Sequence, residues 1–180
     1  TLDELRPADG TVPRTSLPLP RSNRLNRALT RVSDAPLREG NSLTLLQNGS
    51  ETYADWLGAI KNAKRWIHLE NYIFQNDGIG QRFADALAER AAAGVRVRVL
   101  YDWFGSLDVP SSFWRKLRSS GVDVRVFNPL RLTSPFDVIN RDHRKLIAVD
   151  GHYASVGGVC IADPWLDRSP VTGLPYRDTA

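Results

Sequence analysis

His143, Lys145 and Asp150 fall in the spacing HxKxxxxD within RDHRKLIAVDG, and a Gly157-Gly158 pair follows seven residues after the aspartate. An imidazole can attack phosphorus, an ammonium can neutralise a non-bridging oxygen, and a carboxylate can orient its neighbours. Phosphodiester chemistry without a metal needs those three groups. LIAVD has the aliphatic, β-branched content of a short buried strand closed by the Asp150-Gly151 turn signal. If that strand begins near His143, its period of two places His143, Lys145, Ile147 and Val149 on one face. Asp150 then points the other way and is expected to brace the site rather than touch a substrate. The competing reading is three polar residues at the end of a core strand, and the glycine pair weighs against it.

The elements that must position these groups can be read outward from them. SLTLLQ at 42–47 reads as a strand ending in the Asn48-Gly49 turn, and a helix should start with Ser50 as N-cap. Tyr53, Trp56, Leu57 and Ile60 recur on one face of that helix. RWIHLENYIF at 65–74 has the content of a central strand, interrupted only by His68 and Glu70. Ile79, Phe83, Ala86, Leu87 and Arg90 mark a second helix, closed at Ala93-Gly94. Val95, Val97 and Val99 face the core from the next strand, Pro110 opens a third helix carrying Phe113, Trp114 and Leu117, and Gly121 closes it. VDVRVF at 122–127 is a further strand, a loop of about fourteen residues leads to His143, and YASV at 153–156 pairs back as a hairpin. The pattern predicts an α/β lobe whose mixed sheet is flanked by helices.

Residues 1–40 differ, with five prolines, seven arginines and no lysine, and read as an arm or linker before a lobe at 41–180. Arg21, Arg24, Arg27 and Arg31 have helical spacing against Leu25, Ala28, Leu29 and Val32. That stretch is either a short basic helix for an anionic membrane or a solvated arm. The net charge of +4 over 180 residues favours an anionic partner, phospholipid or nucleic acid. The single cysteine, Cys160, excludes an internal disulfide framework and a Cys-based zinc site, and no His/Asp/Glu cluster has metal-ligand spacing. No metal or cofactor is expected. The chain starts at Thr and contains no methionine, so it is expected to be a piece of a longer product whose anchor or signal could lie elsewhere.

HxKxxxxD with its glycine pair resembles the phospholipase D superfamily, and the surrounding blocks are similar to the bacterial cardiolipin synthases. GNSLTLLQNG at 40–49, HLENYIFQND at 68–77, AGVRVRVLYDWFGS at 93–106, NRDHRKLIAVDG at 140–151, VGGVCIAD at 156–163 and YRDT at 176–179 follow in that family's order. The resemblance implies a phospholipase D-like lobe, the first of two and truncated near its end. It also implies a two-step exchange at phosphorus. One histidine attacks a phosphatidyl donor to form a phosphohistidine, and a second protonates the leaving alcohol and then deprotonates the acceptor. Donor and acceptor would be phosphatidylglycerol-like anionic lipids at a membrane surface, with the bacterial inner membrane and its cytoplasmic side as the expected location.

In that scheme Lys145 holds a non-bridging oxygen, and Asp178 stands where the family has an acid that fixes a histidine tautomer. Gly157 and Gly158 let backbone approach the phosphate, and Asn140 and Glu70 are further candidates for the substrate side. Cys160 departs from the asparagine of many relatives, which replaces an amide donor with a weak thiol donor. The larger departure is that only one HxKxxxxD is present, since His68 and His152 have no lysine two residues on. The second motif would come from a missing lobe, the favoured expectation, or from a homodimer mate.

Four weaker candidates complete the reading. Glu70 is expected to be a buried, paired carboxylate near the site, and His68 a satisfied core or edge histidine. Asp102 ends a strand where α/β sheets place ligands, or else caps the next loop. Trp103, Phe104, Trp165 and Leu166 could meet lipid, with packing under the lobe as the simpler role. Besides phosphatidyl transfer, two functions fit: a homodimeric nuclease or hydrolase of the same superfamily, and a catalytically silent lobe that binds anionic membrane.

Overall fold

The computed structural model describes residues 23–35, 38, 40–130, 140–166, 171 and 173–180. They fall into two compact units that divide between Leu45 and Leu46. The boundary lies beyond the expected 40/41 because 42–47 is not a strand. Only Leu46 and Gln47 pair, through an isolated antiparallel bridge from Gln47 to Thr179 and reciprocal Leu46–Ala180 backbone bonds of 2.8 and 3.0 Å.

In the first unit α1 spans Asn23–Ser33 and carries Arg27 and Arg31, as the spacing predicts. Arg21 lies outside the described residues, as do the side chains of Arg24 and Leu25. Leu29 and Val32 are exposed.

In the second unit α2 (Asn48–Asn62) has Gln47 as N-cap, three residues before the expected Ser50, with the Glu51 carboxylate reaching back to the Gln47 N–H at 2.7 Å. There follow β1 (Trp66–Asn71), α3 (Gly78–Ala92), β2 (Arg96–Asp102), α4 (Ser111–Ser119), β3 (Asp123–Phe127), β4 (Leu146–Val149) and β5 (Tyr153–Val156). The sheet order is β3-β2-β1-β4-β5, with β1, β2 and β3 parallel and β4 antiparallel to both β1 and β5. The mixed α/β architecture read from the sequence is thus the observed one, with β1 at its centre.

Period-two alternation divides the sheet into unlike faces. Ile67, Leu69, Val97, Val99, Val124, Ile147 and Val149 are buried, and the core on their side takes in Trp56, Ile60, Phe83, Leu87, Trp114 and Leu117 of the three helices. Tyr101 stacks on Trp114 with ring centroids 3.8 Å apart. The opposite face carries His68, Arg96, Arg98, Asp123, Arg125 and Val156, all exposed. His68 is therefore neither core nor paired: it sits on this open face against Trp66, and burial together with Arg98 and Arg96 lowers its pKa.

The strand expected to start near His143 starts at Leu146. Residues ahead of it are held by side chains, not by a ladder, as described next. Residues 131–139 of the preceding loop lie outside the described set.

Candidate active site

Asp102, at the C-terminal end of β2, is fully buried and accepts four hydrogen bonds. Its Oδ1 takes the N–H groups of Phe104 (2.9 Å) and Gly105 (3.2 Å) and an Arg141 guanidinium nitrogen (3.1 Å). Its Oδ2 takes the Asp142 N–H at 2.9 Å. Of its two expected roles it fills the loop-capping one and adds a second, since the same carboxylate ties the β2 turn to the residues just before His143. A buried anion is tolerated because each oxygen is saturated by donors.

Asp142 passes the constraint on. Its Oδ1 accepts from Arg144 Nε at 3.0 Å, and Arg144 reaches Glu70 Oε1 at 3.3 Å. Burial and the adjoining Asp142 carboxylate push Glu70 up to about 7, against the opposing pull of Arg144. Glu70 is indeed a half-buried, paired carboxylate, and its partners directly flank His143.

His143 itself is exposed, whereas Lys145 is 4% exposed. The two are brought together by Tyr72, not by the pleat of a strand. The Tyr72 ring lies 4.6 Å from the imidazole, centroid to centroid, and 5.0 Å from the Lys145 ammonium. Lys145 Nζ donates to the His143 carbonyl at 2.7 Å, its only hydrogen-bond acceptor among the described residues. Burial lowers its pKa, opposed by Cys160, Asp178 and Asp142. A buried ammonium with donors to spare beside an exposed imidazole is a cradle for an anion. Asn71, one residue before Tyr72, is 1% exposed and finds no partner for Oδ1 or Nδ2 among the described residues.

The far wall comes from 157–162 and 178–180. The Tyr53 hydroxyl of α2 lies on the carbonyls of Cys160 and Ala162, the latter at 2.9 Å, and fixes that extended segment. Cys160 is 2% exposed, its thiol is pushed up to about 11 by burial, and its only acceptor among the described residues is the Gly158 carbonyl at 3.9 Å. The thiol is a packed wall of the Lys145 pocket and a poor phosphate donor. The space a Cβ would occupy at Gly158 is filled by the Asp178 carboxylate, and at Gly157 by the Thr179 carbonyl. The glycines thus admit residues 178–180. Asp178 accepts from the Thr179 N–H at 2.9 Å and makes no hydrogen bond to His143 among the described residues.

Asp150 stands apart. It sits at the other end of β4, with φ 55°, and accepts the backbone N–H groups of Lys64 (2.7 Å), Arg65 (2.8 Å) and Trp66 (2.7 Å). Those bonds hold its pKa below the usual carboxylate range. Asn140 is exposed and contributes its backbone carbonyl to Asn128 at 3.0 Å.

The described site therefore joins His143, Lys145, Cys160, Asp178 and the glycines, borders on Glu70, and leaves out Asp150. Sequence reading passed over Tyr72, Arg141, Asp142 and Arg144. The last three lie within or just before the motif, where charged residues alone give no sign of which face the loop will turn to Asp102.

Residues 57–166 match the family model described as cardiolipin synthase, phospholipase D-like domain. The chain belongs to that family. It is 38% identical over 161 residues to the cardiolipin synthase of Geobacillus kaustophilus, covering 89% of this chain and 32% of that protein. The chain thus spans about a third of the length of the curated relatives it matches. Among solved structures it resembles the phosphatidylserine synthase of Haemophilus influenzae (TM-score 0.60, 18% identity, 87% of this chain and 37% of that one). It also resembles Nuc of Salmonella typhimurium, a phospholipase D family member (TM-score 0.51, 18% identity, 76% and 78%). These two likenesses confirm the phospholipase D-like fold. With family membership, the cardiolipin synthase-like lobe anticipated from the sequence blocks is the one observed.

Proposed function

We propose that this lobe supplies the nucleophile half of a phosphatidyl-transfer site of the cardiolipin synthase type. The observation that carries the reading is the exposed His143 imidazole beside the buried Lys145 ammonium, which lacks a full set of acceptors. Lys145 holds a non-bridging oxygen, His143 attacks phosphorus and the alcohol departs, leaving a phosphatidyl-histidine. A second alcohol then attacks phosphorus and frees the imidazole. The proton for the leaving alcohol needs another imidazole. His68 lies on the open sheet face and His152 in the turn at the Asp150 end, so neither is placed to serve. That group comes from a second HxKxxxxD lobe, in a longer product or in a second copy of this chain. Substrates are anionic, phosphatidylglycerol-like lipids met at the surface of the bacterial inner membrane, on its cytoplasmic side. Among the described residues no helix is long and apolar enough to cross a bilayer.

The test is the intact mass of the chain and its His143→Ala variant after incubation with phosphatidylglycerol vesicles and a basic quench. An adduct of phosphatidyl mass, absent from the variant, supports the reading. Unmodified wild-type chain, with a second lobe supplied, defeats it. A second reading, a homodimeric phosphodiesterase acting on nucleic acid, draws on the exposed Arg96, Arg98 and Arg125 of the open sheet face. It requires binding that weakens steeply with salt.

A further inference from the structure

Asn71, the last residue of β1, is the one residue among those described whose buried side chain leaves two polar atoms unpaired. Asparagine is a poor strand former, and a buried amide without partners costs stability. An aliphatic side chain would serve the core better at this position, as Ile67 and Leu69 do on the same face. A residue that weakens the fold where it stands points to a use elsewhere.

The pairing of β1 with β4 decides what stands beside it. Ile67 faces Val149, Leu69 faces Ile147 and Glu70 faces Leu146, so the next step of the register sets Asn71 opposite Lys145. Burial alternates along both segments up to that step. Ile67, Leu69 and Asn71 are buried on one, and Val149, Ile147 and Lys145 on the other. The two side chains therefore leave the sheet on the same, helix-covered face. The Asp150 N–H donates to the Trp66 carbonyl at 3.1 Å, which makes these two a hydrogen-bonded pair and, counting by twos, Glu70 and Leu146 another. Asn71 and Lys145 fall at the alternate kind of pair, and Lys145 accordingly turns its carbonyl the other way, to the Gly157 N–H at 3.2 Å. Residues opposed in such a pair stand about 4.5 Å apart at Cα, the closest approach two strands make.

The needs of the two groups match. A lysine ammonium has three protons to place. Lys145 gives one to the His143 carbonyl, and a phosphodiester oxygen takes a second. Asp142 and Asp178, which also act on this ammonium, hold donors of their own in Arg144 and the Thr179 N–H, and the thiol of Cys160 is a weak acceptor. Asn71 Oδ1 is a buried acceptor without a donor on the adjoining strand. We propose that Asn71 is a positioning residue of the phosphate cradle: when a phosphodiester oxygen settles on Lys145, Asn71 Oδ1 accepts the remaining ammonium proton and so fixes the direction of the other two. The proposal rests on the reading of Lys145 as the group that holds a non-bridging oxygen.

Leucine keeps the branching of asparagine and removes its polar atoms, so Asn71→Leu separates this role from a structural one. Its Tm is expected to be unchanged or higher, whereas its affinity for dimethyl phosphate, followed by phosphorus NMR, is expected to fall about tenfold. The chain has four lysines, so Lys145 can be followed by isotope labelling at Cε, its signal assigned with Lys145→Arg. Dimethyl phosphate is expected to raise the Lys145 titration midpoint in the wild type and to raise it less in Asn71→Leu. Asn71→Ala, which cannot overpack, is read in the same way. Wild-type affinity in both variants, an equal rise of the midpoint in all three proteins, or no binding by the wild type overturns the proposal. Unfolding of both variants overturns it too, since Asn71 would then serve the fold. If His143 forms no phosphatidyl adduct while dimethyl phosphate binding still depends on Asn71, the transfer reading falls and the lysine–amide pair stands. An adduct together with binding that ignores Asn71 has the opposite meaning.

Discussion

The two ends of β4 carry the same motif and use their charges in opposite ways. At one end Asp150 accepts three backbone N–H groups and fastens the start of β1. At the other, Lys145 is buried with one acceptor among the described residues, and Glu70, its pKa raised by burial and the Asp142 carboxylate, pairs with a residue flanking an exposed imidazole. A fully satisfied charge is structural, whereas a partly satisfied one in a pocket holds interaction energy that a ligand can use. Spacing alone placed Asp150 and Lys145 in one motif, and only hydrogen-bond accounting separates them.

Substitutions can break that contrast. The largest effect is expected at His143: His143→Ala should lower turnover of the complete enzyme at least about a thousandfold, with Tm nearly unchanged because the side chain is exposed. A stopped assay beside a melting curve checks both. Gly157→Ala should act on stability instead. Its Cβ meets the Thr179 backbone, which has no rotamer to yield, so a loss of about 2 kcal/mol or more is expected in urea unfolding. Gly158→Ala first meets the Asp178 side chain, which can swing away. It should fold better than Gly157→Ala and still lose activity, and equal stabilities for the two would remove the distinction.

Asp150→Asn should lower Tm by several degrees while leaving kcat of the folded fraction intact. The Asp150 pKa is depressed on folding, so its stabilisation is present above the unfolded carboxylate range and is lost as pH falls through the folded value. The variant should show a shallower acid limb. The smallest effect is expected at Glu70. Its pKa is raised from 4.5 to about 7, so the folded chain binds more protons in that window and stability declines as pH rises through it. Glu70→Gln should flatten that decline in a pH series of melts, and an unchanged slope would place the proton elsewhere.

The helices and the parallel half of the sheet were legible because apolar periodicity and buried position coincide. Val95, Val97 and Val99, or Tyr53, Trp56 and Ile60, announce their face by spacing alone. The motif loop was not legible as a loop, since the aliphatic run from Leu146 to Val149 reads as a strand and its period of two can be carried back to His143. Only the long-range claim of Asp102 on Arg141 and Asp142 ends it at Leu146. SLTLLQ failed for the complementary reason: it has strand content, but only its last two residues find a partner in 179–180. Glu70 was found because a lone acid in an apolar strand is conspicuous, and Tyr72 was missed because a tyrosine there is not.

The clasp between 46–48 and 178–180 has a bearing on biosynthesis. Leu46 bonds Ala180 and the Asn48 N–H donates to the Asp178 carbonyl, so the earliest part of the lobe is closed by residues made well after the histidine. Translation order itself delays assembly of the pocket until the ribosome has passed residue 178.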